Sequence, residues 1–190
     1  MQDIDFFSNL IGHTKTILRH RHTVMLHCFK AGIPVRGLLH DLSKFSPTEF
    51  IPGVLCYQGT RSPNEREREL YGYSKAWMHH KGRNRHHFEY WTDYNTATGT
   101  LDPVKMPDIY IFEMFCDRVA ASKTYNGEKY DDSCPLTYFL RAKNKRVIED
   151  ETKRKLEFLL RMLNDKGEDY TFRYIRRQVR KCRKKKKCTR

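Results

Sequence analysis

The sequence predicts an all-α protein, built as a single helical bundle that ends in a basic C-terminal helix and tail. Apolar residues recur at helical spacing through most of the 190 residues, and proline and glycine stand where helices begin and end. No segment of useful length alternates apolar and polar residues as a half-buried strand does. The length suits one domain with its own core.

The first predicted helix runs from Ser8 to Ala31, because its apolar residues recur three or four positions apart. Gly32 stands where the residue after a helix usually does, and Pro34 follows in a tight connection. Residues 37–45 then form an apolar run that is interrupted by a histidine and an aspartate. We expect this run to be a short buried helix.

Two serines open the next helices, because Ser46 and Ser62 are each followed by proline and, at the third position, by glutamate. This pattern is a capping box with proline at the first helical position. The helix after Ser46 is expected to be interrupted or shortened at residues 52–53. The helix after Ser62 is predicted to continue as far as residues 79–80, with a loop or kink around Gly82 after it.

The second half of the chain is predicted to contain one polar loop and four further helices. The loop is rich in threonine and glycine, whereas the helices carry apolar stripes or begin at proline. Gly167 is expected to close the third helix of this half. The predicted ranges are 95–103 for the loop and 107–123, 135–148, 151–164 and 172–182 for the helices.

Charge divides the chain near residue 170. The formal net charge is +14, but residues 171–190 hold eleven Lys or Arg and no acid, which leaves 14 − 11 = +3 for residues 1–170. We therefore predict a helical metal-binding domain over 1–170 and a basic helix and tail over 171–190. Such a tail either is a solvated end or attracts nucleic acid or another anionic surface.

Composition argues against several classes of protein. The longest apolar runs are only a few residues, so no segment is expected to span a bilayer. The chain begins Met-Gln-Asp-Ile-Asp, without a signal-peptide pattern, and its six cysteines include no Cys-x-x-Cys pair. These features predict a cytoplasmic, reduced protein and argue against a cysteine-based zinc site.

The most informative motif is the pair His40-Asp41, which stands inside the apolar run just before Lys44. A buried carboxylate needs compensation, and a divalent metal bound by imidazole and carboxylate supplies it. The alternative is a histidine satisfied by backbone at a helix end, with the aspartate as a cap. The metal interpretation gains support from the other histidines, which form two groups on either side, at positions 13, 20, 22 and 27 and at positions 79, 80, 86 and 87.

Periodicity does not choose among the histidines of the first helix. His20 shares a face with His27, seven residues later, whereas His22 lies on the neighbouring stripe. Both stripes also carry apolar residues. Either histidine stripe is therefore compatible with a site facing the rest of the bundle.

Two acids lie on the helix predicted over 107–123. Glu113 and Asp117 are four residues apart, so both carboxylates project from one face of an otherwise apolar stretch. This placement makes them candidates for a buried site. Asp117 could instead pair with Arg118 or Lys123 at the surface.

The ordered set of His20, the pair His40-Asp41, and Asp117 resembles the H…HD…D signature of the HD-domain superfamily of helical, metal-dependent phosphohydrolases. The surrounding stretches also resemble that superfamily's motifs, which are His20-x-x-x-Val24-x-x-x-Cys28-x-x-x-Gly32, Leu38–Lys44 and Cys116–Lys123. More narrowly, residues 40–50 together with residues 79–91 are similar to an uncharacterised, DUF5662-like family of bacterial and phage proteins within it. The resemblance covers roughly residues 8–130 and implies an HD-domain-like bundle.

The resemblance implies one or two divalent metal ions, which could be Mn, Fe, Mg, Ni or Zn. The ligands of the first ion would be His20, His40, Asp41 and Asp117. A second ion would add His80 with one or both of His86 and His87. We expect His80 and His87 to face the same cleft, and His13 and His22 to lie outside it.

The resemblance further implies hydrolysis of a nucleotide or another small phosphate ester by a metal-activated hydroxide. Lys44, one turn from Asp41, would clamp the phosphate, and Glu113 would act as a general acid or would orient a ligand. The residues to which this reading gives catalytic roles are Asp41, Lys44 and Glu113. Its substrate-binding residues are Lys44, Arg83, Asn84 and Lys123.

Two other functions fit the same sequence. One is a non-enzymatic, metal-stabilised helical module that binds nucleic acid through residues 171–190. The other is a di-iron oxygenase, because a minority of HD-type proteins use such a site and the many histidines permit iron. Metal content and iron spectroscopy would separate these classes.

Overall fold

A computed structural model of the chain describes the backbone of residues 5–141 and 146–188, and their side chains as far as residue 184. Within these ranges the chain forms eight α-helices, three 3-10 turns and one two-stranded antiparallel hairpin. The elements are α1 (Phe6–Ala31), α2 (Pro34–Leu39), a 3-10 turn (Leu42–Phe45), α3 (Pro47–Leu55), α4 (Pro63–Tyr71), α5 (Lys75–Arg83), a 3-10 turn (Phe88–Tyr90), β1 (Thr92–Asn95), β2 (Thr100–Pro103), α6 (Asp108–Asn126), a 3-10 turn (Gly127–Lys129), α7 (Cys134–Arg141) and α8 (Asp150–Cys188).

The core lies between α1, α6 and α8, as the apolar stripes of these helices predict. α6 is buried on nearly all sides, because every residue from Tyr110 to Cys116 is buried. Each large apolar side chain removed from water contributes about 1.5–3 kcal/mol, so this helix anchors the fold. The buried core includes Val24, Cys28, Ile111, Phe115, Val119, Leu160 and Ile175.

The helix predicted to run from Ser62 to residues 79–80 is divided in two, so that prediction is wrong. α4 ends at Tyr71, and Gly72 follows with a φ of +79°, a conformation that residues with a Cβ rarely adopt. Ser74 then caps α5 by accepting a hydrogen bond from the Trp77 backbone N–H at 2.9 Å. This break lets α5 turn toward the centre of the fold.

The predicted polar loop over 95–103 contains a strand, which corrects the expectation of a strand-free chain. β1 pairs antiparallel with β2, with Asn95 opposite Thr100 and Thr92 opposite Pro103. All four residues of each strand are exposed or only half-buried. A hairpin without a buried face has no need of alternating apolar residues, so its sequence carries little strand signal.

The stretch over 37–45 forms α2 and a 3-10 turn, but its leucines are not buried, contrary to expectation. Leu38 and Leu39 are 58% and 59% exposed, whereas His40 and Asp41 are 1% and 2% exposed. The buried side of this stretch also includes Gly37, where a Cβ would lie 2.7 Å from the Cys28 Cβ. The absence of a side chain therefore allows α2 to pack closely against α1.

The C-terminal third departs from prediction mainly in its helix ends. α7 comprises Cys134–Arg141, and residues 146–148 are not helical, contrary to prediction; residues 142–145 lie outside the described residues. α8 contains both predicted C-terminal helices, separated by a non-helical Gly167 with a φ of +75°. It crosses residue 171 without a break, and Phe172 and Val179 are buried in the core.

Among the described residues, no helix is both long enough and apolar enough to cross a membrane.

Candidate metal centre

Four parts of the chain bring nitrogen and carboxylate atoms to one place. One group consists of His20 on α1, His40 and Asp41 at the end of α2, and Asp117 on α6. The His20 Nε2 lies 3.1 Å from the Asp117 Oδ1, and the His40 Nε2 lies 3.5 Å from the same oxygen. The four residues that the sequence selected from the H…HD…D pattern are thus brought together.

A second group lies beside the first and consists of Asp41, His80, His86 and His87. The Asp41 Oδ1 is 3.3 Å from the His80 Nε2 and 3.4 Å from the His86 Nε2. The Nε2 atoms of His80 and His87 are 2.8 Å apart. In each group the candidate ligand atoms all lie within 4.8 Å of one another.

Asp41 belongs to both groups because its two oxygens face in different directions. Its Oδ1 faces His80 and His86, whereas its Oδ2 lies 3.5 Å from the His40 Nε2. Asp41 also has a φ of +52°, the one positive φ of a non-glycine residue in the described chain. Such conformations cost about 1–3 kcal/mol and persist where the surroundings impose them, often at functional sites.

Two buried glutamates hold the histidine rings from behind. The Glu113 Oε1 accepts from the Nδ1 atoms of His40 and His86, at 3.3 and 3.4 Å. The Glu49 Oε2 accepts from the His80 Nδ1 at 2.7 Å. A hydrogen on Nδ1 leaves the Nε2 lone pair free, so these glutamates turn three Nε2 atoms toward Asp41 as metal ligands require.

The residues fit a divalent metal on two observations. The His40 Nε2, the His86 Nε2 and the Asp41 Oδ1 are buried and have no hydrogen-bond partner among the described residues. Buried polar atoms are normally satisfied, so these atoms, the His40 Nε2 in the first group and the His86 Nε2 with the Asp41 Oδ1 in the second, call for a ligand that accepts their electron pairs. Atoms about 2.1 Å from a common ion would be about 3.0–3.4 Å apart, close to the separations seen here.

The charges of the groups complement one another. Burial would raise the pKa values of Asp41 and Asp117, but the adjacent histidines hold both well below their usual range. Burial, together with the charges of His86 and His80, lowers the pKa of His87 well below its usual range. At neutral pH the two carboxylates are therefore ionised and His87 is neutral, whereas, despite burial, the charge of Asp41 raises the pKa of His40 well above its usual range, so that an ion bound by His40 would displace a proton.

A cleft of about 740 Å³ opens onto this centre. His80 and His87 line it, as expected, and His22 is exposed on the outside of α1. His13 also lines the cleft, against expectation, because it packs beside the rings of Phe50 and Tyr57. The cleft therefore reaches nearly two helical turns further along α1 than the candidate ligands do.

Of the four predicted substrate-binding residues, only Lys44 lies in the cleft beside the centre. Its Nζ is 3.5 Å from the Asp41 Oδ2. Asn84 instead donates to the Ser43 Oγ at 2.8 Å and to the His80 carbonyl at 2.9 Å, so it braces a candidate ligand. The other two residues lie elsewhere: Arg83 is exposed beside a separate cavity, and Lys123 pairs with Glu168.

The role of Glu49 was not predicted, because its spacing from Ser46 is that of a capping box. Ser46 makes no side-chain capping bond, and Glu49 instead contacts both His79 and His80 through its two oxygens. Arg146, which lines the cleft with Arg118, was not predicted either. Burial and then the nearby charge of Arg146 lower the pKa of Arg118 to about 10.

Fold and site together define a predominantly helical protein with a buried cluster of histidines and carboxylates able to hold metal. The chain belongs to the family of unknown function DUF5662, whose family model matches residues 9–162. Comparison with curated proteins and with solved structures gave no match.

Proposed function

We propose that this protein is a metal-dependent phosphohydrolase of the HD-domain type that cleaves a nucleotide or another small phosphate ester. One observation carries the proposal, namely that Asp41 presents one carboxylate oxygen to each of two histidine-rich groups. A carboxylate in this position can bridge two ions, and paired ions are common in enzymes that transfer phosphoryl groups. The likeness of the motifs to the HD-domain superfamily supports the same reading.

Each of the two groups would hold one divalent ion. When bound, divalent ions would polarise the phosphoryl oxygens and lower the pKa of water, so that hydroxide forms near neutral pH. The first ion would be held by His20, His40, Asp41 and Asp117. The second would be held by Asp41, His80, His86 and His87.

Other residues of this chain would bind the phosphoryl group or orient the metal ligands. Lys44 lines the cleft and would donate a hydrogen bond to a non-bridging phosphoryl oxygen. Glu113 accepts from two histidines and does not line the large cleft, which supports a role in orienting ligands rather than in proton donation. Glu49 would do the same for His80.

The proposal is tested by metal analysis of the purified protein, followed by a phosphatase screen with and without Mn²⁺. We expect bound metal and metal-dependent release of phosphate from p-nitrophenyl phosphate or a nucleotide. Asp41→Asn should abolish both, whereas the control Asp108→Asn, which alters a surface ion pair with Lys155, should retain both. A metal-loaded protein without activity on any phosphate ester would contradict the proposal, and an EPR signal of mixed-valent di-iron would favour an oxygenase.

A second candidate function rests on the end of α8. Its described side chains after Thr171 include seven exposed basic residues and no acid, a surface suited to polyanions. The exposed cations are Arg173, Arg176, Arg177, Arg180, Lys181, Arg183 and Lys184. If this surface binds nucleic acid, binding by the full chain should weaken steeply with salt and should disappear when residues 183–190 are deleted and Arg173, Arg177 and Arg180 are replaced by Gln.

A further inference from the structure

The cleft at the candidate metal centre has a second charged region that the proposed chemistry does not use. Arg118 follows Asp117 on α6, and Arg146 lies in the segment before α8; both line the same cleft as Asp41. We call these two residues the arginine pair. Because consecutive residues of a helix point about 100° apart, Arg118 faces a different part of the cleft from Asp117.

The arginine pair has buried donors without partners. The Nε of Arg118 and the Nη1 of Arg146 are buried and have no hydrogen-bond partner among the described residues. Two acids of the cleft act on Arg118, namely Asp117 and Glu89, and the buried Oε2 of Glu89 likewise has no such partner. Asp117 faces His20 and His40 at the candidate metal centre, which leaves Glu89 as the acid that faces the two guanidinium groups in this part of the cleft.

Packing holds one of these guanidinium groups in place. The Arg146 guanidinium lies over the ring of Tyr138, 5.2 Å from its centroid, and 6.0 Å from the centroid of Phe139. Another arginine of the cleft behaves differently, because Arg61 is held by both oxygens of Glu69, at 2.5 and 2.7 Å. The arginine pair thus differs from Arg61 in keeping buried donors available.

A buried guanidinium with unused donors is costly unless an anion meets it. Its planar, forked geometry matches two oxygens of a phosphate or carboxylate, and such charge-assisted pairs are about twice as strong as neutral hydrogen bonds. A ligand that supplied an oxyanion here would satisfy both buried donors. It would also offset the excess positive charge.

We infer that the arginine pair binds a second anionic group of the substrate, a phosphate or a carboxylate, while the phosphate ester lies at the metal centre. The inference depends on the proposed function only for the end of the substrate at which the phosphate ester would be cleaved. It narrows the substrate class to phosphate esters that carry another anionic group across the cleft. A phosphate ester without a second anionic group would lack this attachment.

Inorganic phosphate is the first probe, and its binding to the purified full chain is measured by calorimetry. We expect Arg118→Gln and Arg146→Gln each to weaken phosphate binding at least tenfold, because each removes a charged donor. Arg61→Gln, the control from the same cleft, should change it less than twofold. Asp41→Asn, which removes the shared candidate metal ligand, should leave this binding in place.

Three results would overturn the inference: no phosphate binding by the wild type, loss of binding in Asp41→Asn alone, or phosphate binding by both arginine variants as tight as that of the wild type. If an Arg→Gln variant fails to fold by circular dichroism, Arg118→Lys and Arg146→Lys replace it, and both should still weaken binding because the forked geometry is lost. Succinate in place of phosphate distinguishes a carboxylate site from a phosphate site. Phosphate binding needs no turnover, so a failure of the proposed hydrolase activity would leave this test intact.

Discussion

Two regions of the groove between α1 and α6 show what separates a candidate ligand from a core histidine. His20 and His27 lie on the same face of α1, seven residues apart. The His20 Nε2 faces the Asp117 Oδ1 at 3.1 Å, whereas the His27 Nδ1 faces the Cys116 backbone carbonyl at 3.3 Å. The adjacent residues of α6 therefore give the two rings opposite surroundings, one acidic and one neutral.

In the second region His27 meets an aromatic ring and a lysine, and His27 belongs to none of the candidate ligand groups of the described residues. The His27 ring packs on Phe172 with 5.1 Å between centroids, and its Nε2 lies 3.5 Å from the Lys123 Nζ. Burial and then the charge of Lys123 lower the pKa of His27 to about 4. This ring is neutral at pH 7 and acts as a packing residue. The comparison shows that the facing group, and not the stripe on the helix, decides the role of a histidine.

The largest effect should come from exchanging the two histidines for alanine. His20→Ala removes a ligand atom from the first group, so metal affinity should fall at least about a hundredfold, or about 2.7 kcal/mol. His27→Ala should leave metal content unchanged and should lower the free energy of unfolding by about 1–3 kcal/mol, because it leaves a buried carbonyl and a gap beside Phe172. Metal analysis and denaturant unfolding measure the two effects; equal metal loss in both variants would contradict the comparison.

Replacing Glu113, which contacts the Nδ1 atoms of His40 and His86, should have the next largest effect. In Glu113→Gln, one acceptor oxygen is replaced by a donor, so the rings of His40 and His86 lose their fixed orientation. We expect a 10- to 100-fold loss of metal affinity with the fold retained. Asp108→Asn, at the start of the same helix, is the matched control. Unchanged affinity in Glu113→Gln would show that the ring orientation is set by packing alone.

Acid should destabilise the chain through His27. Its pKa is about 6.5 in the unfolded state and about 4 in the folded state, so between these values the unfolded chain binds more protons and stability rises with pH. Lowering the pH from 7 to 5 should therefore cost the wild type about 2 kcal/mol more than His27→Gln, which does not titrate. Unfolding by urea at both pH values measures this difference. The exposed His22→Gln should behave like the wild type.

The smallest effect should come from deleting residues 183–190. Of these residues, Arg183 donates one exposed hydrogen bond to the Gly32 carbonyl at 3.1 Å, worth at most about 1 kcal/mol. Metal content and turnover of p-nitrophenyl phosphate should stay within twofold of the wild type. A deletion from residue 171 onward is the contrasting variant, because it also removes Phe172 and Ile175 from the core and should unfold the chain. Loss of turnover with metal retained in the shorter deletion would place the tail in the active site.

The helices were predictable where a local pattern was strong. The apolar stripe of α1 and the glycine after it indicated both the extent and the end of that helix. The break at Gly72 was not predictable in the same way, because a glycine inside a helical pattern is often tolerated. The hairpin of β1 and β2 was missed because neither strand has a buried face.

The candidate site was predictable only in part, because local patterns cannot show which groups meet. The order of His20, His40, Asp41 and Asp117 resembles the H…HD…D signature, and the structure brings these residues together. Glu49 carried no such signal, because its pairing with His79 and His80 depends on α3 packing against α5. The same holds for Arg146, which reaches the cleft from a distant part of the chain.

The close packing at Gly37 has a consequence for recognising distant relatives. This glycine stands seventeen residues after His20 and three before His40, and its carbonyl accepts from the His40 backbone N–H at 3.4 Å. A side chain there would meet the Cys28 Cβ at 2.7 Å and the Met25 Cα at 3.0 Å, pushing α2 away from α1. A chain with the same histidines and aspartate but a bulky residue at this position would hold its His-Asp pair out of place. Glycine at this spacing is therefore a steric signature that separates chains able to assemble the centre from those that carry its ligands by coincidence.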